Sequence, residues 1–178
     1  MSSPTADVSV RVGWPDDAAQ IAAVQTAAWQ VEYAELLPVA DLDTEALTGS
    51  WQASLARTTD ARNRILVALE RASVRGFVLT MPSPDPDADP VADGELTELT
   101  VHPDHQRAGH GSRLVHAAID TLRADHFSTA RVWLASTDDA RRAFLTGAGF
   151  APDGAHRELD LHGDGTTLVK QIRLHTGL

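Results

Sequence analysis

The sequence predicts a single α/β (α+β) domain in which helices pack on both faces of one sheet. The 178 residues are 43% hydrophobic and 22% charged, a composition typical of a globular domain with one sizeable core. Segments with strand and helix patterns follow one another in a mixed order and without an internal repeat. No apolar run approaches the roughly 20 residues of a membrane-spanning helix, so we expect no membrane partner.

The first half of the chain predicts strand, helix, helix, strand, strand. Residues 1–7 are expected to form a flexible tail, and 8–178 a single domain. Apolar residues alternate at 8–12, as in a strand, and recur at helical spacing after Pro15, which opens a helix. The later predicted elements are a helix at 42–57 and two strands at 64–70 and 74–81 joined by a tight turn.

A Pro- and Asp-rich stretch, PSPDPDADPVADG at 82–94, separates these strands from the next one. Prolines interrupt regular structure, and aspartates favour contact with water. We therefore expect a solvated loop that buries nothing.

The second half of the chain predicts strand, helix, strand, helix and then further strands that include a closing hairpin. A hairpin of 158–161 and 167–174 is expected around the sequence HGDG at 162–165, which is a strong turn signal. The elements before it are a strand at 95–101, a helix from Gly109 to about 125, a strand at 131–135, a helix at 137–146 and a strand beginning at Phe150.

The segment QRAGHGS at 106–112 lies between a predicted strand and a long amphipathic helix. A helix start offers unpaired backbone N–H groups and a partial positive charge, which suit a phosphate. Glycines at 109 and 111 let the chain bend and let an anion approach the backbone. Arg107 adds positive charge. These residues predict an anion-binding turn.

The wider pattern around this turn resembles the acyl-coenzyme A signature of the GNAT superfamily of N-acetyltransferases. The matching residues are Leu99, Val101 and Pro103, followed by Gln106, Gly109 and Gly111. A second similarity lies at 138–150, a helix that ends in Gly-Phe. The element order resembles the family's fold over about 8–174, and the stretch at 28–38 is similar to a version common in small bacterial members.

This resemblance implies a GNAT fold, with a mostly antiparallel sheet that splays between the strands at 95–101 and 131–135. Acetyl-coenzyme A would be the co-substrate, with its pantetheine arm in the gap and its diphosphate on the turn. We expect the His110 side chain to be exposed. The predicted cofactor-binding residues are Leu99, Thr100, Val101, Gln106, Arg107, Ala108, Gly109, His110, Gly111, Ser112, Asp138 and Arg142.

Acetyl transfer to a primary amine needs a general base, because an alkylamine is protonated at neutral pH. Glu95 and Glu98 are the candidates, and the resemblance slightly favours Glu95. Simple alternation puts them on opposite faces of the strand, unless a bulge intervenes. Many family members have a tyrosine, acting as general acid, at the position of Leu145. Tyr33, the chain's one tyrosine, could replace it if the fold brings it close; otherwise the thiolate leaves unaided.

The acceptor is expected to be a small amine. The resemblance puts the acceptor pocket at Trp29, Tyr33, Leu36 and Leu37, with Trp133 lining the gap, which would suit apolar or aromatic amines. Two alternatives remain open: acetylation of a protein N-terminus or lysine, and a non-catalytic acyl-coenzyme A binding protein, which the leucine at 145 would favour.

The net charge of −10 makes nucleic acid an improbable partner and favours cationic amines or simply solubility. The chain has no cysteine, which excludes disulfides and a thiol nucleophile. His102, His105 and His110 lack the spacing of a metal site, so we predict no metal. A cytoplasmic location and a possible homodimer complete the expectations.

Overall fold

A computed structural model describes residues 8–36 and 43–178. The predicted tail at 1–7 and the predicted pocket residue Leu37 lie outside the described residues. The observed element order is the predicted one, except that the two strands predicted from Phe150 and at 158–161 form a single strand. The elements are β1 (Val8–Val12), α1 (Ala18–Glu32), α2 (Thr44–Ala56), β2 (Arg64–Glu70), β3 (Ser73–Pro82), β4 (Asp93–Val101), α3 (His110–Ala124), β5 (Thr129–Ala135), α4 (Asp139–Gly147), β6 (Ala151–Asp160) and β7 (Leu168–Gly177).

The seven strands form one sheet in the order β1-β2-β3-β4-β5-β7-β6. Neighbours are antiparallel except for β4 and β5, which are parallel. This parallel pairing runs only from Asp93 opposite Thr129 to Leu96 opposite Val132. Beyond that point the two strands separate, so the predicted splay of the sheet is confirmed.

Helices cover both faces of the sheet, as predicted. Strand β2 shows the division, because its side chains alternate between two hydrophobic clusters. Leu66 and Ala68 pack into the cluster that contains the apolar face of α3. Ile65 and Val67 pack into the cluster formed with α1 and α2. No helix within the described ranges is long and apolar enough to cross a membrane.

A β-bulge interrupts β4 at Glu98. This residue has φ +52°, in the left-handed region. Thr97 pairs with Leu79 and Thr100 with Phe77, so β4 holds one residue more than β3 between these pairs. The bulge removes the simple alternation that would put Glu95 and Glu98 on opposite faces.

The C-terminal hairpin is longer than predicted. The strand expected from Phe150 and the one expected at 158–161 are a single strand, β6, with an irregular register between Pro152 and His156. The predicted turn closes it, since the Asp160 carboxylate accepts hydrogen bonds from the N–H groups of His162, Gly163 and Gly165.

The expectation that the stretch at 82–94 buries nothing is wrong. Ser83 is only 5% exposed, and the side chain of Asp85 is 6% exposed. Arg173 of β7 donates hydrogen bonds to Asp85 and Asp87 at 2.8 and 2.7 Å. The physical reason is charge compensation, because arginines from distant strands meet the aspartates and offset the cost of burying them.

Gly76 of β3 lies against β4 at the splay, and we predict that Gly76→Ala destabilises the protein. A Cβ there would be 2.7 Å from the Thr100 carbonyl oxygen and 3.1 Å from Leu114 Cδ1. We expect a loss of about 1–3 kcal/mol in the free energy of unfolding, the usual effect of overpacking. Urea denaturation would measure it.

Gly49→Ala is the matched control. Gly49 lies inside α2, and a Cβ there meets nothing within 4 Å. Alanine should stabilise the helix by about 0.5–1 kcal/mol. Equal stability of the two variants would contradict the described packing of β3 on β4.

Candidate functional site

The turn at 106–112 has the backbone geometry that an anion needs. Arg107 and Gly109 both have positive φ, +59° and +86°, which turns successive N–H groups toward one side. The first hydrogen bond within α3 is donated by Arg113 to the Gly109 carbonyl at 3.1 Å. The N–H groups of His110 to Ser112 precede this bond and have no acceptor inside the helix. They form a cradle for an anion at the positive end of α3.

A cavity of about 630 Å³, here called the turn cavity, lies between this turn and α4. Most of the predicted cofactor-binding residues line it. Thr100 instead lines the two neighbouring cavities. Ala108, His110 and Arg142 lie outside the lining. The residues that line the turn cavity are Leu99, Val101, Gln106, Arg107, Gly109, Gly111, Ser112, Asp138, Ala140, Arg141, Ala143 and Phe144.

The expectation of an exposed His110 side chain is wrong. His110 is 2% exposed, and its Nδ1 has no hydrogen-bond partner within the described part of the chain. Burial lowers the pKa of this imidazole, against the opposing effect of Glu70. The first position of α3 therefore turns the ring into the protein, while its backbone N–H remains at the turn.

Arg141 was missed in the sequence, whereas Arg142 was predicted. The Arg142 guanidinium donates to the Ser136 carbonyl oxygen at 2.6 Å, outside the turn cavity. Arg141 lines all three cavities of the region. Its nitrogens lie 3.5 Å from a Glu32 oxygen and 3.4 Å from an Asp138 oxygen. Arg141 lies on α4 and reaches Glu32 of α1, a contact that only the tertiary fold reveals.

A second cavity, of about 380 Å³, opens where β4 and β5 separate. We call it the gap cleft. It brings together both candidate bases and three of the predicted acceptor residues: Glu95, Glu98, Trp29, Tyr33 and Trp133. Leu36 lines the adjoining cavity, which Tyr33 shares.

Glu95 is buried at the inner end of the cleft. It is 4% exposed, and its Oε2 accepts a hydrogen bond from the Ser83 hydroxyl at 2.9 Å. Burial raises the pKa of Glu95 above its ordinary value; the Ser83 hydrogen bond opposes this, and the charge of Asp85 adds to it. A carboxylate of this kind takes up a proton more readily than one in water.

Glu98 stands on the bulge and is open to solvent within the cleft. Gln25 Nε2 donates to its Oε2 at 3.4 Å. The surrounding protein partly shields the Glu98 carboxylate from water, and this desolvation raises its pKa. The charge of Glu32 adds to the rise, and Arg141 opposes it. Both carboxylates are therefore less acidic than usual, although only Glu98 is accessible.

Tyr33 follows α1 and lines the gap cleft. Burial, and then the charge of Glu32, raise the pKa of its hydroxyl far above the ordinary value, so the group stays protonated at neutral pH. The fold thus brings this tyrosine to the cleft, as its predicted role requires. Leu145, in contrast, is fully buried in the core and offers no proton.

Trp133 forms part of the cleft wall. Its indole Nε1 donates to both Asp85 carboxylate oxygens at 3.2 Å. The Arg157 guanidinium lies 4.2 Å from the ring centroid, in a cation–π contact. Nothing in the described ranges groups three or more histidines or carboxylates in a way that could hold a metal ion.

Comparison with known proteins identifies the family. The family model described as "Acetyltransferase (GNAT) family" matches residues 25–150. The chain belongs to the GNAT acetyltransferase family. It is therefore an acyltransferase by family, and the family resemblance noted in the sequence is confirmed. By sequence, the chain has no significant match among curated proteins.

Solved structures share the fold at low sequence identity. The putative acetyltransferase YncA from Salmonella typhimurium, solved with acetyl-CoA, is 19% identical with TM-score 0.69, over 96% of this chain and 94% of that one. PaiA N-acetyltransferase from Thermoplasma acidophilum, in complex with coenzyme A, is 14% identical with TM-score 0.69, over 97% and 99%. Ribosomal-protein-alanine N-acetyltransferase from Brucella melitensis is 17% identical with TM-score 0.71, over 96% and 99%.

Proposed function

We propose that the protein transfers the acetyl group of acetyl-coenzyme A to the primary amine of a small molecule. One observation carries the proposal: the gap cleft and the turn cavity meet at the splay, where Leu99 and Arg141 line both. A cofactor along β4 would reach from the turn into a cleft that holds two carboxylates.

The described residues suit coenzyme A at both ends of that path. The turn offers free N–H groups for the diphosphate, with Arg107 beside them. Beyond Leu96 the β5-facing edge of β4 is unpaired, so its backbone groups can bond the amides of the pantetheine arm as an added strand does. The relatives solved with acetyl-CoA or coenzyme A support this assignment.

Glu95 is the proposed general base. The acceptor amine has an ordinary pKa near about 10.4 and must lose a proton to attack the thioester. The buried, less acidic carboxylate of Glu95 would accept that proton through a water molecule in the cleft. Backbone N–H groups near the bulge would stabilise the oxyanion, as donors aimed at developing charge do.

Glu98 and Tyr33 receive separate roles. Glu98 is accessible in the cleft, so we assign it to binding the incoming ammonium group. Tyr33, which stays protonated, would donate a hydrogen bond to the leaving sulfur. A thiol pKa near about 8.5 makes the thiolate a fair leaving group, so proton transfer from Tyr33 is not required.

A small acceptor is favoured over a protein substrate because aromatic walls enclose the cleft. Trp29 and Trp133 line it together with Leu159 and Leu161. The structural neighbour that is a ribosomal-protein-alanine N-acetyltransferase keeps protein acetylation as a second candidate. Non-catalytic binding is the third, supported by the buried leucine at 145.

We predict that Gly109→Glu abolishes the thermal stabilisation by coenzyme A. The new carboxylate would lie on the phosphate cradle and repel the diphosphate. Differential scanning fluorimetry with saturating coenzyme A tests this, because a ligand bound only by the native state must raise Tm. Gly154→Glu is the control: its φ of +87° matches the +86° of Gly109, and a Cβ there meets nothing within 4 Å. A normal Tm rise in Gly109→Glu would remove the turn from the cofactor site.

The two carboxylates should differ in their kinetic effects. Glu95→Gln should lower kcat by about 100-fold or more, the usual effect of losing a general base. Glu98→Gln should chiefly raise KM for the amine, with a smaller change in kcat. Steady-state thiol release measures both constants for each variant. The reverse outcome would make Glu98 the base.

Tyr33→Phe should lower kcat by about tenfold or less, because it removes one hydrogen bond and no required proton. Stopped-flow measurement of thiol release would give the rate. A decrease in kcat of about 1,000-fold or more would instead show that Tyr33 acts as a general acid.

A further inference from the structure

The loop between β3 and β4 contacts residues that line the gap cleft. We infer that Ser83 is a positioning residue for acetyl transfer, holding the carboxylate of Glu95 in the orientation that serves the acceptor amine. The inference rests on the proposed function, in which Glu95 is the base. Neither the family resemblance nor the Pro- and Asp-rich sequence of the loop assigned it a role.

The contact between Ser83 and Glu95 is short and buried. The hydroxyl lies 2.9 Å from Oε2, and the two residues are 5% and 4% exposed. The Ser83 N–H donates to the Asp93 carbonyl at 2.8 Å, which fixes Ser83 against the start of β4. The Asp85 N–H approaches the Ser83 Oγ at 3.4 Å as a donor. The hydroxyl accepts on one side, so its own hydrogen is directed to Glu95.

Asp85 ties the same loop to the acceptor wall. Its carboxylate accepts from Trp133 Nε1 at 3.2 Å and from Arg173 at 2.8 Å. Arg157, which lies over Trp133, is 3.7 Å from Asp85. One ordered segment thus holds the proposed base through Ser83 and the aromatic wall through Asp85, which keeps the two at a fixed separation.

The groups facing Glu95 have opposing effects on its charge. The Ser83 hydroxyl stabilises the carboxylate, whereas the nearby charge of Asp85 destabilises it. Arg157 of β6 and Arg131 of β5 also favour the ionised form. Glu98, Tyr33, Glu32 and Arg141 line the same cleft. Removing Ser83 or Asp85 should therefore change the pKa of Glu95 in opposite directions.

Two substitutions test the inference. Ser83→Ala removes a hydrogen bond to the ionised form, so the acid limb of the kcat/KM profile should move to higher pH. On that limb activity should fall roughly tenfold, with a much smaller change on the plateau. Asp85→Asn removes a negative neighbour, so its acid limb should move to lower pH. If these residues had a purely structural role, the substitutions would lower the plateau or Tm, and the two acid limbs would not move in opposite directions.

Two controls accompany them. Ser83→Thr keeps the hydroxyl and should restore the wild-type limb. Asp87→Asn breaks contacts with the same Arg173 but changes a carboxylate that is 60% exposed. The acid limb of the kcat/KM profile of Asp87→Asn should stay at the wild-type pH.

Titration of ¹³C-labelled glutamate carboxyls by NMR provides a readout independent of turnover. The Glu95 signal is identified by its absence in Glu95→Gln. An unchanged Glu95 titration in Ser83→Ala would overturn the inference, whether or not any amine is acetylated. A titration that moves while the kinetic limb stays would overturn Glu95 as the base, and with it the role of Ser83 in the reaction. The inference is supported if the Glu95 titration and the acid limb both move to higher pH in Ser83→Ala and to lower pH in Asp85→Asn.

Discussion

The site depends on the early end of the parallel pairing between β4 and β5. The ladder stops at Leu96 opposite Val132, which leaves the facing backbone groups of the two strands without a strand partner along the gap cleft. Backbone N–H and C=O groups that no strand pairs are open to a ligand that presents its own. A pantetheine arm, through its own amides, would bond to these groups as an added strand does. The early end of the pairing therefore provides both an unpaired strand edge and the space beside it.

A network of arginines and aspartates lies beside the gap cleft. The arginines of β5, β6 and β7 surround the aspartates of the loop after β3, with the buried Arg173 bonded to Asp85, Asp87 and Asp153. This compensation allows carboxylates to be buried close to the cleft. Glu95, beside that network and held by an uncharged donor, is left with a raised pKa. The same segment thus contributes charge pairs to the fold and, through Ser83, a hydrogen bond to Glu95.

Local signals predicted most of the fold and part of the site. The turn at 106–112 could be found from sequence because its glycines, its helix start and its preceding strand are contiguous. The opening that brings Glu95 and Glu98 into one cleft was expected from the family resemblance. Contacts made only by the tertiary fold were missed: Arg141 of α4 with Glu32 of α1, Ser83 with Glu95, and the arginines with Asp85. The prediction of an exposed His110 side chain failed for the same reason, because the packing of the fold decides which side chains are buried.

We propose that a cofactor bound along β4 delivers its acetyl group to an amine in the gap cleft. The most direct measurement is a screen of primary amines with acetyl-CoA, in which thiol release is matched to acetylated product by mass spectrometry. We expect saturable, stoichiometric acetylation of at least one small amine. Binding of acetyl-CoA without turnover of any amine, peptide N-terminus or lysine would contradict it and favour a protein that only binds the cofactor.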